Sequence, residues 1–158
     1  MRQLAFVAAL ACATLGLATS AQGRNLGECE KKVPPEAERA FQDVERAVRA
    51  ADAAAVTATM PSGRDARVHL ALPGVDAGSY SRDQATEVLR TRYFATRKVL
   101  ALTPAEGCTV GSETQLSRTY RLTVQIGRDS VDRTLTIDIV RRRVGQRDVW
   151  YLGALKDA

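Results

Sequence analysis

The chain has 158 residues, 45% of them hydrophobic and 26% charged, and its formal net charge is +5. This composition excludes a disordered or fibrous protein, and the length suits a single globular domain. The basic excess is mild and consists mainly of arginine, so charge alone does not identify a partner.

The first 21 residues are predicted to be a secretory signal peptide. Arg2 precedes an apolar stretch over residues 4–18, and small residues follow where a signal peptidase would cut, which we place after Ala21. Cys12 lies inside the apolar stretch without suitable lipoprotein cleavage residues before it. Lipid attachment is therefore the less favoured alternative.

Two cysteines, Cys29 and Cys108, remain once the signal peptide is removed. In an oxidising compartment this number allows one disulfide with no free thiol. Two unpaired thiols are the alternative, because sequence alone gives no distance between them. If the bridge forms, it ties a polar segment, residues 22–33, to the single domain that we expect over residues 34–156.

Two helices are predicted before the first strand. The pair Pro34-Pro35 opens the first helix, since proline is tolerated in the first helical turn. Its buried stripe consists of Phe41, Val44, Val48 and Ala51. Asp52 is the expected cap of a second, short helix over residues 53–59.

A strand, a turn and a capped helix are predicted within residues 67–94. Apolar residues alternate with polar or small ones as in a half-buried strand, and Pro73-Gly74 ends the strand. The apolar positions of this strand are Val68, Leu70 and Leu72. Ser81 and Gln84 have the spacing of a capping box, so a helix is expected over residues 82–95.

The rest of the chain is predicted to be antiparallel sheet. A short strand is expected at residues 98–102, and longer strands at 119–127, 131–139 and 149–155. Apolar and polar residues alternate along the long strands, which gives each strand one apolar face. The fold class is therefore α+β, with N-terminal helices packed on an antiparallel sheet.

An arginine cluster precedes the last strand. The turn before that strand is predicted at Gly145-Gln146-Arg147-Asp148. Arg141, Arg142, Arg143 and Arg147 are expected to belong to this solvated hairpin turn and to protect the sheet from edge pairing. An anionic ligand, an acidic partner or a membrane headgroup is the alternative. Because an exported protein rarely meets nucleic acid, no nucleic-acid partner is expected, and after the signal peptide no stretch reaches the ~20 apolar residues of a membrane span.

The order of elements and several packing residues resemble the bacterial domain of unknown function 4783, a member of the nuclear-transport-factor-2-like (cystatin-like) superfamily. The resemblance covers roughly residues 35–155 and implies a curved sheet that wraps around helices to leave a cone-shaped cavity. The matching residues are Phe41, Val44, the run from Val68 to Gly74, Tyr80, Ser81, Gln84, Ala85, Val88, Leu89, Tyr93, Phe94, Trp150, Tyr151 and Leu152.

Enzymes on this cone fold usually place an Asp, His or Tyr in the cavity for proton transfer. The resemblance therefore directs attention to Asp138, His69 and Tyr80 as acid–base residues. By strand alternation His69 is expected on the solvent side or at a subunit interface. Asp138 shares its strand face with Asp132 and threonines, so a solvated outer face is expected for it as well.

Aromatic residues are the expected lining of a ligand cavity: Tyr80, Tyr93, Tyr120 and Trp150. Their spacing also suits ordinary core positions, and this alternative stays open. A metal site is not expected, because one histidine and two distant cysteines do not supply clustered ligands. No cofactor is expected, because the glycines form no phosphate-binding pattern.

We therefore expect an exported, non-enzymatic binding domain in the periplasm or the medium. It would hold a small apolar ligand in the cone cavity or form a homodimer through its sheet. The alternative is a small lyase, isomerase or hydrolase with acid–base residues in the cavity.

Overall fold

The computed structural model of the chain describes residues 33–105 and 109–157. The predicted signal peptide, Cys29 and Cys108 lie outside these residues. The helical elements are α1 (Pro35–Arg49), α2 (Ala53–Ala58) and α3 (Arg82–Val88), which continues as a π-helical turn (Leu89–Tyr93). The strands are β1 (Val68–Ala71), β2 (Gly78–Tyr80), β3 (Lys98–Pro104), β4 (Val110–Gly111), β5 (Gln115–Ile126), β6 (Asp129–Val144) and β7 (Arg147–Asp157).

The predicted helix signals are confirmed. α1 begins at Pro35, and the Asp52 side chain caps α2 by accepting a hydrogen bond of 3.0 Å from the Ala55 amide. The Ser81 amide donates to Gln84 Oε1 at 3.1 Å, and the Gln84 amide donates to Ser81 Oγ at 3.4 Å, which completes the capping box of α3. These contacts are local, so the sequence pattern alone specifies them.

The strands form a seven-stranded sheet in the order β2-β1-β7-β6-β5-β3, with β4 paired to β5. β1 pairs with β7 in parallel, and the other pairs are antiparallel. Tight turns join the long strands, and Gly127 and Gly145 occupy them at φ values of 62° and 63°. A left-handed φ of this kind favours glycine, which fixes where the hairpins turn.

The last hairpin turns at the predicted Gly145-Gln146. The assignment of Arg141, Arg142 and Arg143 to the turn is wrong, because these residues belong to β6. The glycine, with its positive φ, decides the turn position, whereas arginine is compatible with an extended strand. The long strands are consequently longer than the sequence pattern indicated.

The helices cover one face of the sheet, here called the inner face, and the other is the outer face. Phe41 and Val44 of α1 are fully buried against strand residues such as Leu122 and Ile137. Burial of each such side chain contributes about 1.5–3 kcal/mol. The Arg49 guanidinium also donates to the Leu102 carbonyl of β3 at 2.6 and 3.1 Å, which ties the end of α1 to the sheet.

A β-bulge interrupts the pairing of β6 with β7. Asp138 lies opposite Ala154, but Ile139 lies opposite Leu152, so Gly153 has no partner residue. A side chain at Gly153 would meet Val140 Cγ1 at 2.9 Å. The bulge reverses the alternation of β7 on either side of Gly153. None of the helices in the described part of the chain is sufficiently long and apolar to span a membrane.

Candidate functional site

The three predicted acid–base residues do not lie together. His69 and Asp138 line a shallow depression of about 290 Å³ on the outer face of the sheet. Tyr80 lies opposite Val68, and cross-strand neighbours share a face, so Tyr80 is on the inner face. Its hydroxyl donates to the Asp76 carbonyl. These residues consequently do not form one catalytic group.

The expected solvation of Asp138 is wrong. Asp138 is only 4% exposed, although it is on the outer face. Its carboxylate accepts a hydrogen bond from Ser117 Oγ at 2.6 Å and another from Lys156 Nζ at 2.7 Å. β6 is a central strand, so side chains from β5 and β7 cover Asp138 from both sides. His69 is exposed on the outer face of β1, which β7 separates from β6, and this is the face on which alternation places it.

The four aromatic residues proposed for a ligand cavity have different surroundings. Tyr93 and Tyr120 are core residues with 2% and 0% exposure. Tyr80 packs against the edge of this core. Trp150, which is 9% exposed, lines two surface grooves. Of the four aromatic residues, Trp150 is therefore the one that lines grooves open to the surface of the protein.

The more apolar surroundings of Trp150 form a groove between α1, α2 and β7. We call it the Trp150 groove; its volume is about 600 Å³. Its lining consists of Ala40, Asp43, Arg46, Ala47, Ala50, Asp52, Ala55, Ala58, Thr59, Trp150, Tyr151 and Leu152. The Leu152 amide donates to the Thr59 carbonyl at 2.9 Å and joins the end of α2 to β7. Alanines thus line the helical walls, and β7 with Trp150 lines the base.

The second groove at Trp150 is charged. It has a volume of about 690 Å³ and lies between the start of α1 and the last hairpin. Its lining consists of Pro34, Glu36, Ser112, Glu113, Leu116, Arg141, Arg147, Asp148 and Trp150. Both signs of charge occur there, and Arg141 pairs with Asp148 at 3.6 Å.

A polar pair on the inner face was missed by the sequence analysis. Tyr93 Oη donates to Asp157 Oδ2 at 2.9 Å, and Asp157 lies opposite the core residue Leu135. Burial, and secondarily the charge of Asp157, raises the pKa of the Tyr93 hydroxyl. Burial also raises the pKa of Asp157. Because a buried tyrosine hydroxyl usually has a hydrogen-bond partner, the core spacing of Tyr93 indicates that some polar residue lies beside it, although not which one.

Two arginines lie around this pair. The Arg97 guanidinium is 5.2 Å from the Tyr93 ring centroid, and charge from Arg97 and Arg133 acts on Asp157. Within the described residues, Asp157 Oδ1 and the Nε atoms of both arginines are buried without a hydrogen-bond partner. The cluster can therefore accept or donate a proton only if a ligand or water reaches it.

An ion pair links the first turn of α1 to β5. Arg118 donates to Glu38 through both terminal nitrogens, at 3.0 and 2.6 Å, and its guanidinium lies 4.3 Å from the Phe41 ring centroid. Arg118 Nε also donates to Thr109 Oγ1 at 3.0 Å. The hydrogen bonds from Arg118 lower the pKa of Glu38. Among the described residues, no group of three His, Cys, Asp or Glu side chains is arranged to hold a metal ion.

Solved structures share the fold of this chain at low sequence identity. A ketosteroid isomerase-like protein from Erwinia carotovora atroseptica is 18% identical with a TM-score of 0.58, covering 76% of this chain and 90% of that one. An NTF2-like protein with a cystatin-like fold from Novosphingobium aromaticivorans is 11% identical with a TM-score of 0.50, covering 78% and 79%. The chain therefore has the NTF2-like, cystatin-like α+β fold that the sequence resemblance implied.

No family model matches the chain, so membership in the domain of unknown function 4783 stays a prediction. No curated protein sequence matches it either. The likeness thus identifies the fold, and the function has to be argued from the site.

Proposed function

We propose that this protein is a binding domain for a small, mainly apolar ligand that lies in the Trp150 groove. The observation that carries this proposal is a groove of about 600 Å³ at the single tryptophan of the chain. This volume is within the usual range for small-molecule sites, which are mostly apolar with a few polar groups. The groove meets both criteria.

The lining suggests a flat ligand. Alanine side chains are short, so a planar ring can approach the backbone of α1 and α2 closely, and Trp150 offers an aromatic contact. The charged residues of the lining are Asp43, Arg46 and Asp52. Arg46 pairs with Asp43 at 3.3 Å, and both are well exposed, so either charge can be redirected toward a polar substituent of the ligand.

Tryptophan fluorescence provides a direct test. Because Trp150 is the single tryptophan, its emission reports on the surroundings of this one side chain. Trp150 also lines the charged groove, so matched variants are needed to assign the signal to the Trp150 groove. We would titrate the mature protein with anilinonaphthalene sulfonate, a planar apolar probe, and follow quenching of Trp150 together with the rise in probe emission. Native mass spectrometry of protein purified from its own source would then identify a natural ligand by its added mass.

A matched pair of variants makes the test specific. Ala58 and Ala54 are both exposed on α2, but only Ala58 lines the Trp150 groove. Ala58→Phe is expected to fill the groove and weaken probe binding at least 10-fold, while Ala54→Phe leaves it unchanged. Equal binding by the two variants, or probe emission without Trp150 quenching, would overturn the proposal.

Proton transfer at Tyr93 and Asp157 is the second candidate function. It is favoured by Asp157 Oδ1, which is buried without a partner in the described residues, and by the raised pKa of Asp157. Asp157 would act as the base and Tyr93 as the hydrogen-bond donor. We would test isomerisation of a β,γ-unsaturated ketosteroid. Turnover that is lost in Asp157→Asn, but kept in Asp132→Asn, would support this function, and absence of turnover would exclude it for this substrate.

We also propose export and a Cys29–Cys108 disulfide. Arg118 binds Thr109, next to Cys108, and Glu38, in the first turn of α1. Thr109 and the first turn of α1 therefore lie close together. The four peptide links from Cys29 to Val33 can span up to about 13 Å, which would allow Cys29 to reach Cys108. Thiol titration of the unfolded, unreduced mature protein should find no reactive group; two groups would refute the bridge.

A homodimer through the outer face of the sheet completes the proposal. This face carries threonines and charged residues around His69 and Asp138, so a dimer would have a polar, hydrated interface. Native mass spectrometry would show the dimer directly. His69→Glu should then shift the protein to monomer, and a monomeric wild-type protein would refute self-association.

A further inference from the structure

The last hairpin projects beyond the rest of the sheet. β5 begins opposite Val140, so within residues 33–105 and 109–157 β7 is the only strand that pairs with β6 from Arg141 onward. A hydrogen bond of 2.8 Å from the Arg141 amide to the Thr114 carbonyl is the last backbone contact on the β5 side. Residues 141–149 thus form a two-stranded projection, which we call the cationic arm.

The arm has an excess of unpaired positive charge. It contains four arginines and one acidic residue, Asp148, which pairs with Arg141. Within the described residues, Arg142, Arg143 and Arg147 belong to no ion pair. All three side chains are exposed. Their guanidinium groups are therefore available to an anionic partner.

An aliphatic side chain lies among these arginines at the tip. Val144 is 54% exposed and precedes the Gly145-Gln146 turn. Val144 lies opposite Arg147, and Arg142 lies opposite Val149. Because cross-strand neighbours share a face, one face of the arm combines two arginines with two valines.

We propose that the cationic arm binds the surface of an anionic phospholipid bilayer. The arginines would donate paired hydrogen bonds to lipid phosphates, and Val144 would enter the headgroup region. The arm is narrow, whereas a folded acidic partner needs about 800 Å² of contact on each side for a stable interface. An apolar tip flanked by unpaired arginines suits a shallow insertion better.

Vesicle co-sedimentation tests this inference. The mature protein should bind vesicles that contain phosphatidylglycerol and should not bind pure phosphatidylcholine vesicles. Binding should weaken as salt is raised, because screening reduces the attraction of exposed charges. Each arginine near the surface is worth on the order of 1 kcal/mol, so Arg142→Gln with Arg147→Gln should lower vesicle affinity roughly 10- to 30-fold.

A control with the same net charge separates the arm from general basicity. Arg121 and Arg128 are exposed on β5 and at its far turn, so Arg121→Gln with Arg128→Gln removes equal charge elsewhere. This control should bind within about 3-fold of wild type. Val144→Ser should weaken binding without any change of charge. Equal losses in both double variants, equal binding to neutral vesicles, or no vesicle binding at low salt would overturn the inference.

Discussion

Replacing Asp138 by alanine tests the burial of this carboxylate. Asp138 is on the polar face of β6, where sequence alternation predicts a solvated side chain, yet it is 4% exposed. The substitution removes the acceptor of two hydrogen bonds, from Ser117 and Lys156. We therefore expect a clear loss of stability at a position that the sequence pattern marks as neutral.

The structure supports an estimate of the loss. A hydrogen bond to a charged group contributes about 1.5–3 kcal/mol. The Lys156 side chain is 48% exposed, so water can replace Asp138 as its hydrogen-bond partner. The contribution of this bond is therefore at or below the lower limit of that range. The half-buried Ser117 hydroxyl loses its partner with less compensation. Together these contributions predict a decrease of about 2 kcal/mol in the free energy of unfolding for Asp138→Ala.

Asp132→Ala is the matched control. Asp132 is on the same strand and face and accepts a hydrogen bond of 2.7 Å from Thr123, but it is exposed. Its replacement should change stability by less than about 0.5 kcal/mol. Urea unfolding at pH 7 measures both variants. If Asp138→Ala loses no more than Asp132→Ala, the reasoning from burial is refuted. Ser117→Ala should cost little in the Asp138→Ala background, because the shared bond is already absent.

Tyr120→Phe should lower the free energy of unfolding by less than about 1 kcal/mol, because the buried Tyr120 hydroxyl has no hydrogen bond of ordinary geometry in the described residues, although Arg118 lies near it; a larger loss in urea unfolding would show that Arg118 holds the hydroxyl. Arg118 lowers the pKa of Glu38, so its stabilisation is present above the ordinary value of 4.5 and is lost as pH falls through the lowered pKa; Glu38→Gln should flatten the acid side of the pH–stability curve, and an unchanged slope would contradict the ion pair. The pKa of Asp157 is raised, so stability is lost as pH rises from the ordinary value through the raised pKa. Asp157→Asn should therefore gain stability relative to wild type between pH 3 and pH 7, and a relative loss would refute that direction.

The local elements of this fold are predictable from the sequence alone. Asp52 and Ser81 each accept a hydrogen bond from a backbone amide three residues further on, so their capping function does not depend on the rest of the molecule. The alternation along β5 and β6 likewise reports which side chains face the helices. Because period-two and period-3.6 patterns reflect backbone geometry, they also identify the α+β class.

The candidate sites depend on tertiary structure that the sequence pattern does not predict. The bulge at Gly153 changes the alternation of β7, which brings Asp157 to the inner face near Tyr93. No local sequence pattern predicts the position of this bulge. Asp138 is buried because β5 and β7 both flank β6, and the Trp150 groove exists because α1, α2 and β7 meet there. Burial and groove shape are sums of contacts between residues far apart in the chain. A sequence pattern indicates which face of each strand is apolar, whereas only the assembled sheet determines which side chains water can reach.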